Sequence, residues 1–215
     1  MKKNILSLSA IALIAMASVF TGCKKDDTTA PVVTLNGAAS QTISLQGTYT
    51  ELNATANDDV DGTLTPSISG TVNVNLTGTY TITYTATDKA GNAGTATRTV
   101  IVKNDVDAMT GTYQCTITGS PNYVYTQVIT ASTTLNKRFG FAKFGDYVGN
   151  TGIYADVVGT TITLPSQTAI QVGNPAADRT FAGTGTVTNA TTFTLNYTET
   201  TGGSPINTVE TFVKQ

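Results

Sequence analysis

Residues 78–88 read Gly-Thr-Tyr-Thr-Ile-Thr-Tyr-Thr-Ala-Thr-Asp. Tyr80, Ile82, Tyr84 and Ala86 fall on every second position, and threonines fill the positions between. A helix repeats its faces every 3.6 residues and cannot use that spacing. A strand with one buried face requires it. The same period of two runs nearly throughout the chain after residue 30, and no stretch there sustains a helical period. Charged residues make up only 12% of the chain. Thr and Val, both abundant here, suit pleated and half-exposed surfaces. An all-β protein is expected.

The first 23 residues depart from this pattern. Lys2 and Lys3 precede an apolar run over residues 5–20, and small residues Thr21-Gly22 follow. These are the three parts of a secretory signal. The run is short for a bilayer crossing, which takes about 20 residues. Thr21-Gly22-Cys23 resembles the lipobox of bacterial lipoproteins, with Phe20 where that family prefers Leu. The resemblance implies that residues 1–22 are removed and that Cys23 is lipidated as the first mature residue. Several acyl chains, each methylene contributing about 0.8 kcal/mol when buried, would then hold the protein at a membrane. Read from the residues alone, an ordinary secretory signal cut near Gly22 also fits.

Residues 23–29 form the tether. Within it Lys25-Asp26-Asp27 resembles the export signal of surface-exposed lipoproteins in one group of Gram-negative bacteria. It implies display on the outer face of the outer membrane. Charge beside Thr28-Thr29-Ala30-Pro31 is also what a solvated linker shows.

The formal charge of -2 includes Lys2 and Lys3, so the mature chain is more acidic. No basic patch stands ready to neutralise phosphates, and no nucleic-acid partner is expected. Lys137-Arg138 reads as a solvated turn. Once Cys23 is lipidated, Cys115 is the one cysteine left, which excludes an internal disulfide. Cys115 alternates with Tyr113 and Ile117 and is expected to face a core. The chain has no histidine to activate a nucleophile, and no enzyme is expected.

Residues 30–102 carry several short strands separated by turn clusters, the pattern of a β-sandwich. Asp58 to Thr63, then Gly78-Thr79-Tyr80, then Asp88-Lys89-Ala90-Gly91-Asn92 ahead of Arg98-Thr99-Val100 follow in order. Together they resemble a bacterial immunoglobulin-like domain, of the kind attached to some pesticidal crystal proteins and the related hyalin-repeat module. The resemblance implies a seven-stranded sandwich serving as spacer, stalk or adhesion module, without activity. Asp58, Asp59, Asp61 and Asp88 are candidate ligands for a structural Ca²⁺, which takes six to eight oxygens. The competing reading is turn chemistry at Asp61-Gly62 and Gly91-Asn92.

Residues 103–107 are short and polar and read as a linker. Residues 108–215 hold eight strand-like runs, at 111–118, 123–132, 138–144, 152–158, 160–164, 180–188, 192–198 and 208–214. Hairpin-length links point to an antiparallel meander, closed as a small barrel or open as a curved sheet. Gly111-Thr112-Tyr113 ahead of such a meander is similar to the calycin pattern of lipocalin-like domains, with Tyr113 where those carry Trp. That resemblance implies a carrier of a small apolar ligand.

Aromatic residues concentrate in this second part. Most are expected in the core. Tyr123, Tyr125, Phe144 and Tyr147 sit near turns and are the candidates for ligand contact. Gly183-Thr184-Gly185 reads as a glycine pair at a sheet bend, since no helix follows it. Asp146 and Asp156 offer no defined carboxylate geometry. The expected function is a lipid-anchored surface protein whose second part binds a glycan, a surface or a protein partner. A lipocalin-like carrier and an accessory subunit of an extracellular enzyme system are the alternatives.

Overall fold

The computed structural model describes residues 26–119, 123–147, 152–172, 176–203 and 205–215. The protein is all-β, an immunoglobulin-like sandwich followed by an eight-stranded antiparallel barrel. The sandwich strands are β1 Val32–Leu35, β2 Ser40–Ser44, β3 Ala54–Asp58, β4 Gly62–Leu64, β5 Ser67–Ser69, β6 Gly78–Thr87 and β7 Ala93–Lys103. One sheet has the order β1-β3-β4 and the other β2-β7-β6-β5. Pairing is antiparallel except where β2 lies parallel to β7.

The alternating run over 78–88 is β6, and its Ile82, Tyr84 and Ala86 are buried as the spacing requires. On β7, Arg98 shares the inward face with Val100 and Val102 and is 0% exposed. A buried guanidinium must have its donors satisfied. Arg98 bonds Glu51 at 2.9 Å, the Tyr84 hydroxyl at 2.9 Å, and the carbonyls of Asn36 and Ala38. Glu51 also accepts from the Tyr49 hydroxyl at 2.6 Å. β3 begins at Ala54, and the segment just before it serves Arg98 instead of the ladder.

Residues 103–107 are not a loose linker. Asn104 is 1% exposed, and its amide donates to the carbonyls of Ser132, Leu135 and Arg138. Its Oδ1 accepts from the Val106 and Lys137 amides. The Thr77 amide also donates to the Thr133 carbonyl at 2.9 Å, and the Asn136 amide to Gln46 Oε1 at 3.2 Å. The sandwich thus grips the barrel at the turn over 132–137.

The barrel strands are β8 Gly111–Ile117, β9 Val124–Ala131, β10 Arg138–Phe141, β11 Tyr154–Val158, β12 Thr161–Val172, β13 Ala177–Asn189, β14 Thr192–Thr200 and β15 Ile206–Lys214. Each pairs with its sequence neighbour, and β15 on β8 closes the ring. β12 runs eight residues past the expected end at Leu164. Pro165, which cannot donate to a ladder, sits where the β12–β13 register shifts, between Leu164 and Gln167. β10 stops at Phe141, three residues short of expectation, because a 3-10 turn over Phe144–Asp146 takes over. Gly183 and Gly185 lie in β13, where a Cβ would come within 2.2 Å of the Asn196 and Thr194 carbonyl oxygens of β14. The glycine pair allows this close approach.

Aromatic rings pack in the interior. Phe193 and Phe212 stack at 4.4 Å, Tyr113 meets Phe193 edge-on at 5.3 Å, and Phe141 meets Phe144 at 4.7 Å. Cys115 is buried among them, and burial pushes its thiol pKa far up, so it is a packing residue. The Cys115 expectation agrees with this placement.

Candidate functional site

The registers give the barrel two unlike ends. At the end held by the sandwich, β9–β10, β11–β12 and β13–β14 join through short turns. At the opposite, distal end lie the connections after β8, β10, β12 and β14. Among the described residues, candidate side chains gather at this distal end.

The chain leaving β10 makes the distal turn over Phe144–Asp146 with left-handed backbone at Gly145 (φ 65°) and Asp146 (φ 61°). That shape drives Phe144 inward. It is 0% exposed and packs against Phe141, Phe181 and Tyr197. The expectation that Phe144 contacts a ligand is therefore corrected: its position near a turn places it as a plug. Tyr125 is corrected likewise, because β9 alternation turns it into the barrel at 7% exposure.

The other two candidate tyrosines do lie at the rim. Tyr123 is 46% exposed and donates to Asp146 at 2.8 Å. Lys143 donates to the other Asp146 oxygen at 2.8 Å. Partial burial opposes ionisation of Asp146, but Lys143 and Tyr123 outweigh it and hold the carboxyl below the usual range. The same bond, with burial, pushes the Tyr123 hydroxyl up to about 12. Tyr147 is half-buried and donates to Glu199 at 3.1 Å. Arg179 pairs with Glu199, bonds the Tyr147 hydroxyl at 3.1 Å, and lies 4.4 Å from the Tyr147 ring centre. Thr201 accepts from Arg179 at 3.2 Å. Arg179 and Glu199 were not foreseen. The signal for Glu199 was its place in phase with Leu195 and Tyr197 on an inward-facing alternation.

A second unforeseen group lies beneath this rim. Glu210 alternates with Phe212 and is 0% exposed. Among the described residues, neither of its carboxyl oxygens has a hydrogen-bond partner, nor do the Tyr125 hydroxyl and Gln127 Nε2. Burial raises the Glu210 pKa to about 7, against the opposing pull of the Tyr125 and Tyr197 hydroxyls, which face it without reaching hydrogen-bond geometry. Asp156 stands apart from Asp146, held by Arg138 through two bonds at 2.7 and 2.8 Å. The two form no acid pair.

In the sandwich, the four candidate calcium ligands do not converge as one set. Asp61 accepts from Lys89 through both its amide and its Nζ, each at 2.7 Å. Asp88 accepts from the Asn92 amide and side chain at 2.8 Å; these bonds overcome its desolvation and hold its pKa low. Asp58 and Asp59 instead meet Asp27 from the tether. Asp26 is exposed. Cys23 and Lys25 lie outside the described residues.

Residues 33–102 match the family model described as a bacterial surface protein, Ig-like domain. No curated protein matches the chain. Among solved structures, a lipoprotein from Bacteroides thetaiotaomicron is 23% identical, with 86% of this chain and 100% of that chain covered, at a TM-score of 0.35. The CBM51-2 and INT domains of Clostridium perfringens ZmpB, solved with GlcNAc, are 14% identical. There the match covers 85% of this chain and 43% of that chain, at a TM-score of 0.28. At these TM-scores neither likeness bears on function.

Proposed function

We propose that this is a lipid-anchored, noncatalytic surface protein that binds a glycan at the distal end of its barrel. The observation that carries the reading is the polarity of the chain. The tether meets the sandwich at the β6–β7 turn, where Asn92 donates to the Asp27 carbonyl at 3.1 Å. β7 then runs eleven residues, about 35 Å at strand spacing, to the joint at Asn104. The barrel begins there and ends in the rim of Tyr123, Lys143, Asp146, Tyr147, Arg179 and Glu199. An anchor at Cys23 would place that rim farthest from the membrane. The match to a bacterial surface Ig-like family supports a presenting role for residues 33–102.

A glycan suits the rim because rigid rings beside charged donors and acceptors can stack on a sugar face while bonding its hydroxyls. The aromatic packing inside the barrel favours a ligand at the rim over an apolar cargo within. Cys115 is inert, Glu210 is sealed, and the chain has no histidine, so binding without turnover is the better reading.

The test is a glycan screen with the purified chain, followed by calorimetry on each hit and on Tyr123→Ala and Arg179→Ala variants. Binding weakened at least about tenfold by either change, as removal of a hot-spot residue gives, supports the proposal. Turnover of a bound glycan, capture of a protein but no glycan, or binding indifferent to both changes overturns it.

A further inference from the structure

We infer that Asp27, Asp58 and Asp59 form a calcium site that locks the membrane tether onto the end of the sandwich. Carboxylate oxygens of these three residues lie within 4.8 Å of one another. Two oxygens bound to one Ca²⁺ at about 2.4 Å stand at most about 4.8 Å apart, so the spacing is that of a shared ion. Three like charges this close repel one another unless a cation sits between them.

A second observation points the same way. Asp58 is 4% exposed. Its Oδ1 accepts the amides of Val60 and Asp61 at 2.9 and 2.8 Å, which fixes the side chain. Its Oδ2 is buried with no hydrogen-bond partner among the described residues. Asp27 repeats the arrangement: Oδ1 accepts the Thr29 amide at 3.0 Å, and Oδ2 is buried without a partner among the described residues. A buried carboxylate oxygen without a donor is costly. In both residues one oxygen is used by the local turn and the other is left over, and one shared cation satisfies both. Asp59 is exposed and supplies a third carboxylate from the solvent side, where waters complete the shell. Lys89 does not serve as the counter-charge, since it is drawn to Asp61. An all-oxygen set without sulfur or imidazole suits a hard ion such as calcium over zinc.

The site joins residues far apart in sequence. Asp58 ends β3 and Asp59 follows it, whereas Asp27 stands four residues after Cys23. Asn92 already holds the Asp27 carbonyl and is itself held by Asp88. A cation would turn this contact into a lock and fix the direction in which the sandwich leaves its anchor. This role is independent of any ligand at the barrel.

The experiment strips the purified chain with a chelator and titrates it with CaCl₂, by calorimetry and by thermal unfolding. Expected is saturable binding with Kd in the range of about 10⁻⁴–10⁻³ M, as in extracellular modules, and a raised melting temperature. Asp27→Asn and Asp59→Asn should each weaken binding about tenfold, the effect of removing one charged ligand. Asp61→Asn should leave it within about twofold, because its carboxylate lies outside the set. Calcium should also slow proteolysis within residues 24–30 of the wild type but not of Asp27→Asn. Three results overturn the inference: no heat and no shift at about 10 mM calcium, well above the expected range; binding unchanged in Asp27→Asn; or equal response to magnesium.

Discussion

Phe193 and Phe212 face each other across the β14–β15 register and stack with centroids 4.4 Å apart and planes 9° apart. Both are 0% exposed. Tyr113 and Phe139 pack on Phe193, so four rings occupy the half of the barrel nearest the sandwich. An eight-stranded barrel is just wide enough for its own side chains to fill it or for one small ligand. Here these four rings pack against one another within it.

Truncating this stack should be expensive. Phe193→Ala is expected to cost about 3–5 kcal/mol, the usual range for a buried phenylalanine. Phe193→Leu, which keeps most of the volume, should cost less than about 1.5 kcal/mol. Urea unfolding followed by circular dichroism measures both. A small loss in the alanine variant would mean that the barrel interior is not close-packed around these rings.

Arg98 gives a second stability test, in the sandwich. Arg98→Ala leaves Glu51 and the Asn36 and Ala38 carbonyls facing a buried void, so a loss of about 3–5 kcal/mol is expected. Arg98→Lys keeps the charge but not the planar fork that reaches five acceptors, and it should not restore full stability. Denaturation midpoints of the three proteins decide this. Full recovery by lysine would show that charge alone, without the geometry, matters at this position.

Much of this was legible in the sequence, for physical reasons that differ by element. β6 declared itself because one face is buried and one is not, so the alternation is complete. The barrel was legible as a meander because each strand pairs with its sequence neighbour. Its closure was not legible, since that depends on β15 meeting β8 across about a hundred residues. The extent of β12 was hidden because Pro165 looks like a strand end, and only the partner strand shows that a bulge absorbs it. The candidate sites were read least well. Proximity to a turn does not say which way a ring points, and the left-handed residues at 145 and 146 turned Phe144 inward. Asp27 was read only as part of an export signal, and no spacing rule connects it to Asp58. Glu210 was visible as a charge in phase with buried Phe212, but that signal was passed over.

The proposed anchor at Cys23 predicts a simple outcome. Cys23→Ser replaces the thiol needed for a thioether-linked lipid with a hydroxyl, so the variant should leave the membrane fraction and appear soluble. Changing Lys25, Asp26 and Asp27 together to Ala should keep the lipid but abolish access of external protease to the protein in intact cells. Retention of the Cys23→Ser variant in membranes would mean that residues 5–20 stay in place as the attachment.

Glu210 makes stability depend on pH in a window of its own. Its folded pKa, about 7, lies above the ordinary value of 4.5. Between those values the native state keeps a proton that the unfolded chain has released, so stability falls as pH rises through the window. The contribution is fully present below about pH 4.5 and lost above about pH 7, a change on the order of 3 kcal/mol at 1.36 kcal/mol per pKa unit. Glu51, Asp88, Asp105 and Asp146 have lowered values and act in the opposite sense, but within the acidic range below this window. Glu210→Gln keeps the shape and removes the titration. The variant should show no loss of stability from Glu210 between pH 4.5 and 7, and at pH 8 it should be more stable than the wild type. Urea midpoints of both proteins at pH 5 and pH 8 test this. Parallel pH dependence in the two would mean that Glu210 ionises normally, with water or a cation reaching its carboxylate inside the barrel.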